Sequence, residues 1–407
     1  MNIIKKAIND NRYIIITCCS VLLWLILMSC FTGIGPLTSN PYNSFALQAE
    51  SWRHGRLDLG QNYSYLELAV YEDKYYVSFP LFPSYVLFPF TLIWGSNTPD
   101  GILLWIANMI LTVFLYKLAN LHIKDELVSS LITIFFLLGT NVAFIILTPW
   151  VWFWAQTLCL LTAVMSIYYA FKGNGYLSLG LWACSVGCRP MQALFFPVLL
   201  LILLDQKKKA APEKTYGSIL KSHLTWAIPP FIIGGTYMIL NYLRFDNPLE
   251  FGHNYLPEFT EAEYGQFNLH YLKDNFKMLL NIPGFSEENK MLVDHFGNMN
   301  FLLVSPLIIF SLIAFIFIIT KKQKRSTLFC LGIIILSILY LFITMMHKTM
   351  GGWHFGNRYT NDILPYLLLI SLWGIKKRKS IWIYMIPLMI FGICFNAIGS
   401  IIVYNNL

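Results

Sequence analysis

Long apolar runs broken by short polar joints set the pattern of this chain. Runs at about 13–34, 101–119, 126–147, 151–171, 222–243, 301–320, 327–346 and 381–403 stand out. Each approaches the roughly 20 apolar residues that a helix needs to cross a bilayer. Residues 176–204 hold two shorter apolar segments that meet at Cys188-Arg189-Pro190, and 361–374 hold one more. The pattern predicts an all-α integral membrane protein, a polytopic bundle of about eleven transmembrane helices. Residues 80–95, PLFPSYVLFPFTLIWG, are apolar enough to cross but short, and Pro80, Pro83 and Pro89 each remove a backbone donor.

Lysine positions decide the path of that segment. They gather at Lys5-Lys6, Lys117 with Lys124, Lys172, Lys207-Lys208-Lys209, Lys321 to Arg325 and Lys376 to Lys379. If 80–95 does not cross and 176–204 crosses twice, every cluster falls on the cytoplasmic side, as positive-inside sorting requires. Residues 80–95 then read as a re-entrant or interfacial segment, with the N-terminus inside. A cysteine placed near Lys208 is expected to resist labelling from outside intact cells; labelling would overturn this topology. The chain reads as one integral membrane domain over 1–407 in a plasma membrane, with a first external loop at 35–100, a large one at 244–300 and a short one at 347–362.

Composition agrees: 57% of residues are hydrophobic and 12% charged, against about 25% charged in soluble domains. The net charge of +8 does not point to nucleic acid, because the lysines sit in short joints as topology signals. The eight cysteines lie in or beside apolar runs with no paired loop spacing, so neither a zinc site nor a disulfide framework is expected. MNIIKKAINDNR resembles a signal-peptide n-region, but the run after it is long and lacks a small-x-small cleavage site, which predicts a retained first span. Trp150, Trp152 and Trp154 read as an interfacial belt.

The first external loop holds the densest candidate chemistry. In NPYNSFALQAESWRHGRLDL, residues 40–59, Asn40-Pro41 suits a helix start and Gly55 its end. Phe45, Ala49 and Trp52 form an apolar stripe for a helix lying in the interface. Asn43, Glu50 and His54 share another face: an amide, a carboxylate and an imidazole. The same spacing also suits a surface helix with solvated polar residues. Next, alternation around Glu72-Asp73-Lys74 predicts a short hairpin. Non-helical backbone at membrane depth is tolerated where it lines a cavity or is buried in protein.

This order, an interfacial helix ending in HGRLDL, a hairpin EDKYYVSFP and a proline-rich apolar segment, resembles the first external loop of GT-C membrane glycosyltransferases. The bacterial relatives of protein O-mannosyltransferases and lipid A aminoarabinose transferases are the most similar. Gly139-Thr140, the Cys188-Arg189-Pro190 break, RFDNPLEFGHNYLPEF at 244–259 and GNRYTNDILP at 356–365 extend the likeness over most of the chain. It implies a GT-C-like fold that moves a sugar from a polyprenyl-phosphate donor to a glycan, lipid or protein acceptor on the extracytoplasmic face. Where the resembling enzymes often carry an aspartate, this chain reads Asn40-Pro41-Tyr42-Asn43. Glu50 is then the candidate general base, with Asp58 and Asp73 behind it and Asn43 positioning a substrate.

A departing lipid phosphate needs cations. Arg53, Arg189, Arg358 and Lys74 are the candidates, with Arg56, His347 and Lys348 also within the outer segments. An arginine between two short apolar segments, as at Arg189, is costly unless it faces a cavity or a partner. His54, His253, His354 and Asp362 are candidate substrate ligands, and Asp246, Glu250 and Glu258 stand near His253. The cofactor is left unassigned: a divalent metal has no clear ligand spacing. A lipid-linked glycan transporter and a non-catalytic envelope-assembly protein are the competing readings. The near absence of charge inside the spans and of any repeat speaks against transport.

Overall fold

The computed structural model describes residues 11–287, 291–294, 296–321 and 324–406; Lys5 and Lys6, part of the topology pattern, lie outside the described residues. The helices are α1 (Arg12–Thr32), α2 (Ser44–Arg53), α3 (Phe82–Trp94), α4 (Asp100–Ile123), α5 (Glu126–Leu138), α6 (Val151–Phe171) and α7 (Gly175–Val186). They continue with α8 (Phe196–Ala210), α9 (Ile228–Phe245), α10 (Leu272–Leu280), α11 (Leu307–Thr320), α12 (Lys324–Met345), α13 (Leu364–Lys377) and α14 (Met385–Asn405). Between α2 and α3, β1 (Leu68–Tyr71) pairs antiparallel with β2 (Lys74–Val77).

Each of the eleven apolar segments contains a helix. Among the described residues, six helical stretches are long and apolar enough to cross a membrane: Arg12–Thr32, Asp100–Ile123, Val151–Phe171, Pro190–Ala210, Lys324–Met345 and Lys379–Asn405. Helices suit this composition because they satisfy their backbone polar groups internally, which a bilayer demands. Residues 80–95 form α3, whose 13 residues rise about 20 Å. That is short of the roughly 30 Å hydrocarbon core.

By contact the chain parts into two units that interleave in sequence: Met1–Gly35, Asn108–Leu147 and Tyr271–Leu407 form one, Pro36–Ala107 and Thr148–His270 the other. In the first, hydroxyls join apolar helices, as is common where no hydrophobic effect drives helix association. Thr17 of α1 lies 2.6 Å from Ser130 of α5, and Ser311 of α11 lies 2.9 Å from Ser371 of α13.

The span expected at 126–147 is broken in this unit. Helix α5 stops at Leu138, and a short turn of helix follows at Val142–Ile145. The break has partners of its own: the Asn141 backbone N–H donates to Ser305 Oγ at 3.2 Å, and its side-chain amide to the Phe355 carbonyl at 3.0 Å. Gly392 of α14 packs directly on it, so that an added Cβ would stand 2.2 Å from the Gly139 carbonyl oxygen. Gly392→Ala is expected to cost about 1–3 kcal/mol by overpacking, read as a lower Tm in detergent; an unchanged Tm would refute this close approach.

In the second unit, α6 packs on α7 and α8, and α2 on α3. The expected hairpin is present, turning through Glu72 and Asp73 at φ 48° and 58°. That is the left-handed pair a two-residue turn of this kind requires. Its inner residues Ala69 and Tyr76 pack on Phe245 at the end of α9. The interfacial helix starts at Ser44 rather than at Pro41, because Asn40 is engaged elsewhere. The tryptophan triplet is packing rather than a lipid-facing belt: Trp150 and Trp154 are buried and Trp152 half-buried.

Candidate active site

In the second unit the beginning of the loop at 35–100 is tied to its end. Asn40 donates its amide to Asp100 Oδ2 at 2.6 Å and to the Pro149 carbonyl at 3.0 Å, and its own oxygen accepts from the Tyr42 backbone N–H at 2.9 Å. Asp100 opens α4 and is only 6% exposed, which makes it a buried carboxylate. A helix N-terminus favours a negative charge there. Beside it the Val151 backbone N–H donates to the Tyr42 carbonyl at 3.2 Å. The Tyr42 ring lies 5.1 Å from Trp150, edge to face, and 5.0 Å from Trp152, and the Trp152 indole donates to Glu67 Oε2 at 3.1 Å. The result is an acid and an amide next to three aromatic rings, of which Tyr42 and Trp152 are partly exposed and offer an apolar face with a polar tip.

Glu50 forms a second cluster. Its Oε2 lies 2.8 Å from Arg53 Nη1 and its Oε1 3.0 Å from His54 Nε2. Arg53 also donates to the Thr91 carbonyl at 2.6 Å. Glu50 stands beside Gly95, and Asn43 donates to the Ser96 carbonyl at 3.4 Å, so both reach the same turn after α3. The expected face of Asn43, Glu50 and His54 is therefore joined at Glu50 and His54, whereas Asn43 is taken up by backbone.

The other candidates of this unit stand apart in their contacts. Asp58 accepts from the Gly60 backbone N–H at 2.6 Å, a local turn. Asp73 and Lys74 sit exposed at the hairpin turn. Arg189 is half-buried at the break before the turn at Pro190. His253 Nδ1 lies 3.2 Å from the Ser78 carbonyl and its ring packs 5.0 Å from Phe259. Asp246 accepts from the Tyr71 hydroxyl at 3.2 Å, while buried Glu250 folds back on the Gly252 N–H and the Asn254 amide.

The first unit holds the remaining three. His354, Arg358 and Asp362 are all buried in the loop and turn between α12 and α13. Asp362 Oδ2 accepts from the Tyr340 hydroxyl at 2.6 Å. His354 Nδ1 lies 2.6 Å from the Gly352 carbonyl, and its Nε2 is buried without a hydrogen bond among the described residues. Burial, and then the charge of Arg358, push the His354 imidazole down to about 3. The loop closes on both side chains through Gly297 and Gly351 at φ 79° and 104°. A Cβ on Gly297 would stand 2.8 Å from His354 Nε2, and one on Gly351 would stand 3.1 Å from Arg358 Nε.

Two residues escape a reading by spacing. Asp100 was counted only as the last residue of a loop, and its partner Asn40 lies 60 positions away. A lone acid abutting an apolar run was the available signal. Arg244, buried at the end of α9, donates to the Val77 carbonyl and to Asn241, and ties the hairpin to the helix.

The resemblance implies an aspartate that acts as a base or stands beside a metal. Here Asp100 meets an amide rather than a second acid or an imidazole, and among the described residues no group of three His, Cys, Asp or Glu comes together as a ligand set. The side chains do not fit a metal centre, and no step is derived through one.

No family model matches the sequence, and no curated protein matches it. Among solved structures, the chain is similar to the apo crystal structure of the Archaeoglobus fulgidus oligosaccharyltransferase, with a TM-score of 0.43 and 10% identity, over 95% of this chain and 55% of that one. The chain thus spans about half the length of that protein. A superposition at this level does not establish a common fold.

Proposed function

We propose that the protein is a membrane glycosyltransferase that moves a sugar from a polyprenyl-phosphate donor to an envelope acceptor on the extracytoplasmic face. The observation that carries this reading is the contact between Asp100 and Asn40. The resemblance in the first external loop lacked an acid at Asn40; a buried carboxylate lies within 2.6 Å of that amide. In this reading Asp100 accepts the proton of the acceptor hydroxyl. The hydroxyl oxygen bonds to the anomeric carbon as the bond to the lipid phosphate breaks, and the phosphate leaves with the electron pair.

Glu50 is the second candidate base, since its side chain is about a quarter exposed and can be reached by substrate. Arg53, Arg189, Arg358 and Lys74 are the proposed cations for the phosphate. Asn43, His54, His253, His354 and Asp362 are the proposed substrate ligands, with Asp58 in reserve as a base.

The test is transfer by the purified full chain in lipid, with a panel of radiolabelled polyprenyl-phosphate sugars and a membrane extract as acceptor. Wild-type product is expected, and Glu50→Gln is expected to retain most of it. Loss in Glu50→Gln with Asp100→Asn active moves the base to Glu50. No product from any donor, with the fold intact, refutes the enzyme in favour of a scaffold or transporter. Cation variants are expected to raise donor KM, and base variants to lower kcat.

A further inference from the structure

Within the second unit, residues of α2, α3 and α9 line an open, surface-facing pocket of about 430 Å³, inside the roughly 300–1,000 Å³ range of small-molecule sites. Trp52, Tyr85, Phe88 and Leu240 wall it, with Leu57 and the Gly55 turn at one side. The Trp52 ring lies 5.5 Å from Tyr85 and 6.5 Å from Phe88. One charged side chain, Arg56, interrupts this apolar lining, and the Trp52 nitrogen lies behind it. The Trp52 indole N–H is buried and makes no hydrogen bond among the described residues. Arg56 is exposed, lies against Gly60, and pairs with no carboxylate among the described residues. The neighbouring Arg53 is already held by Glu50 and the Thr91 carbonyl.

The two helices beside the cavity turn apolar side chains outward: Leu92, Ile93 and Trp94 on α3, and Phe231, Ile232 and Ile239 on α9. Such surfaces suit hydrocarbon. A free anion in water would gain nothing from the aromatic walls. An uncharged lipid would leave the exposed Arg56 charge to water, whereas an anionic headgroup meets it at the rim of the apolar walls. The single cation at the rim, Arg56, matches the single negative charge of a phosphodiester.

We propose that this cavity is a binding site for an anionic glycerophospholipid of the surrounding leaflet. One acyl chain lies against Trp52, Tyr85, Phe88 and Leu240, and the phosphodiester accepts from Arg56. The site is independent of the transfer reaction proposed above, and no residue of the Asp100 cluster takes part in it.

The test places the full chain in phosphatidylcholine nanodiscs that carry a photoactivatable phosphatidylglycerol, and maps the adducts by peptide mass spectrometry. Adducts on peptides containing Trp52, Tyr85 or Phe88 are expected, with far fewer from a photoactivatable phosphatidylcholine. Arg56→Gln, an exposed change that should leave folding intact, is expected to lower the phosphatidylglycerol adduct by about tenfold, the worth of one charge-assisted contact. Leu240→Trp, which fills the cavity, should remove it. Unlabelled polyprenyl phosphate should leave the labelling unchanged. Equal labelling of Arg56→Gln would overturn the proposal. So would displacement by polyprenyl phosphate, which would assign the cavity to a lipid donor instead.

Discussion

Asp100→Asn is expected to lower kcat for sugar transfer by about 10²–10⁴-fold, the range that a positioned general base supplies. The change is isosteric. An asparagine oxygen at this position can still accept from the Asn40 amide, which now donates to Asp100 Oδ2. Stability should therefore move little while the proton acceptor disappears. The comparison variant is Asn40→Ala. It keeps the carboxylate, still bonded by backbone N–H groups, but removes its only side-chain partner among the described residues, and a hydrogen bond to a charged group is worth about 1.5–3 kcal/mol. That variant should lose Tm as well as activity. A fully active Asp100→Asn enzyme would remove Asp100 from the chemistry and leave Glu50, whose two oxygens are held by Arg53 and His54, as the base to test.

The fold was legible in so far as it depends on apolar length. The positions of the eleven helical segments follow from where hydrocarbon-compatible runs begin and stop, and the hairpin follows from alternation around Glu72-Asp73-Lys74. Helix ends were less legible, because tertiary partners outbid local signals. Asn40-Pro41 has every local mark of a helix start, yet the Asn40 side chain is spent on Asp100 and Pro149, and α2 begins at Ser44. The apolar run at 126–147 conceals a break whose polar groups are satisfied by Ser305 and Phe355, more than 160 positions away. Residue type alone gives no warning of such contacts.

The candidate site followed the same division. Glu50 and His54 sit four apart on or beside one helix, so spacing found their contact. Asp100 and Asn40 meet only because the loop closes on itself, and an acid in the first turn of a helix reads locally as a complement to the dipole. Arg358 and Asp362 were legible as polar residues in a glycine-bearing loop, but nothing in the sequence said that both are buried. Burial turns them from loop residues into structural and electrostatic elements.

That burial gives His354 the second large expected effect. Its imidazole is held down to about 3 by burial and by Arg358, whereas an unfolded histidine titrates near 6.5. Between those values the unfolded chain binds one more proton than the folded one. Stability is therefore full above about pH 6.5 and falls by about 1.4 kcal/mol for each unit of acidification below it. The folded loop cannot accept the proton cheaply, because the ring is fully buried and Gly297 and Gly351 lie close against it. Thermal unfolding in detergent between pH 7 and pH 5 should show a steep loss of Tm for the wild type. His354→Gln, which keeps a neutral polar side chain of similar reach, should flatten that slope, and Arg358→Gln should soften it by removing the repelling charge. Equal slopes in wild type and His354→Gln would mean that the imidazole takes up its proton without leaving the fold, and that the loop opens to water at Gly297 or Gly351 to let it.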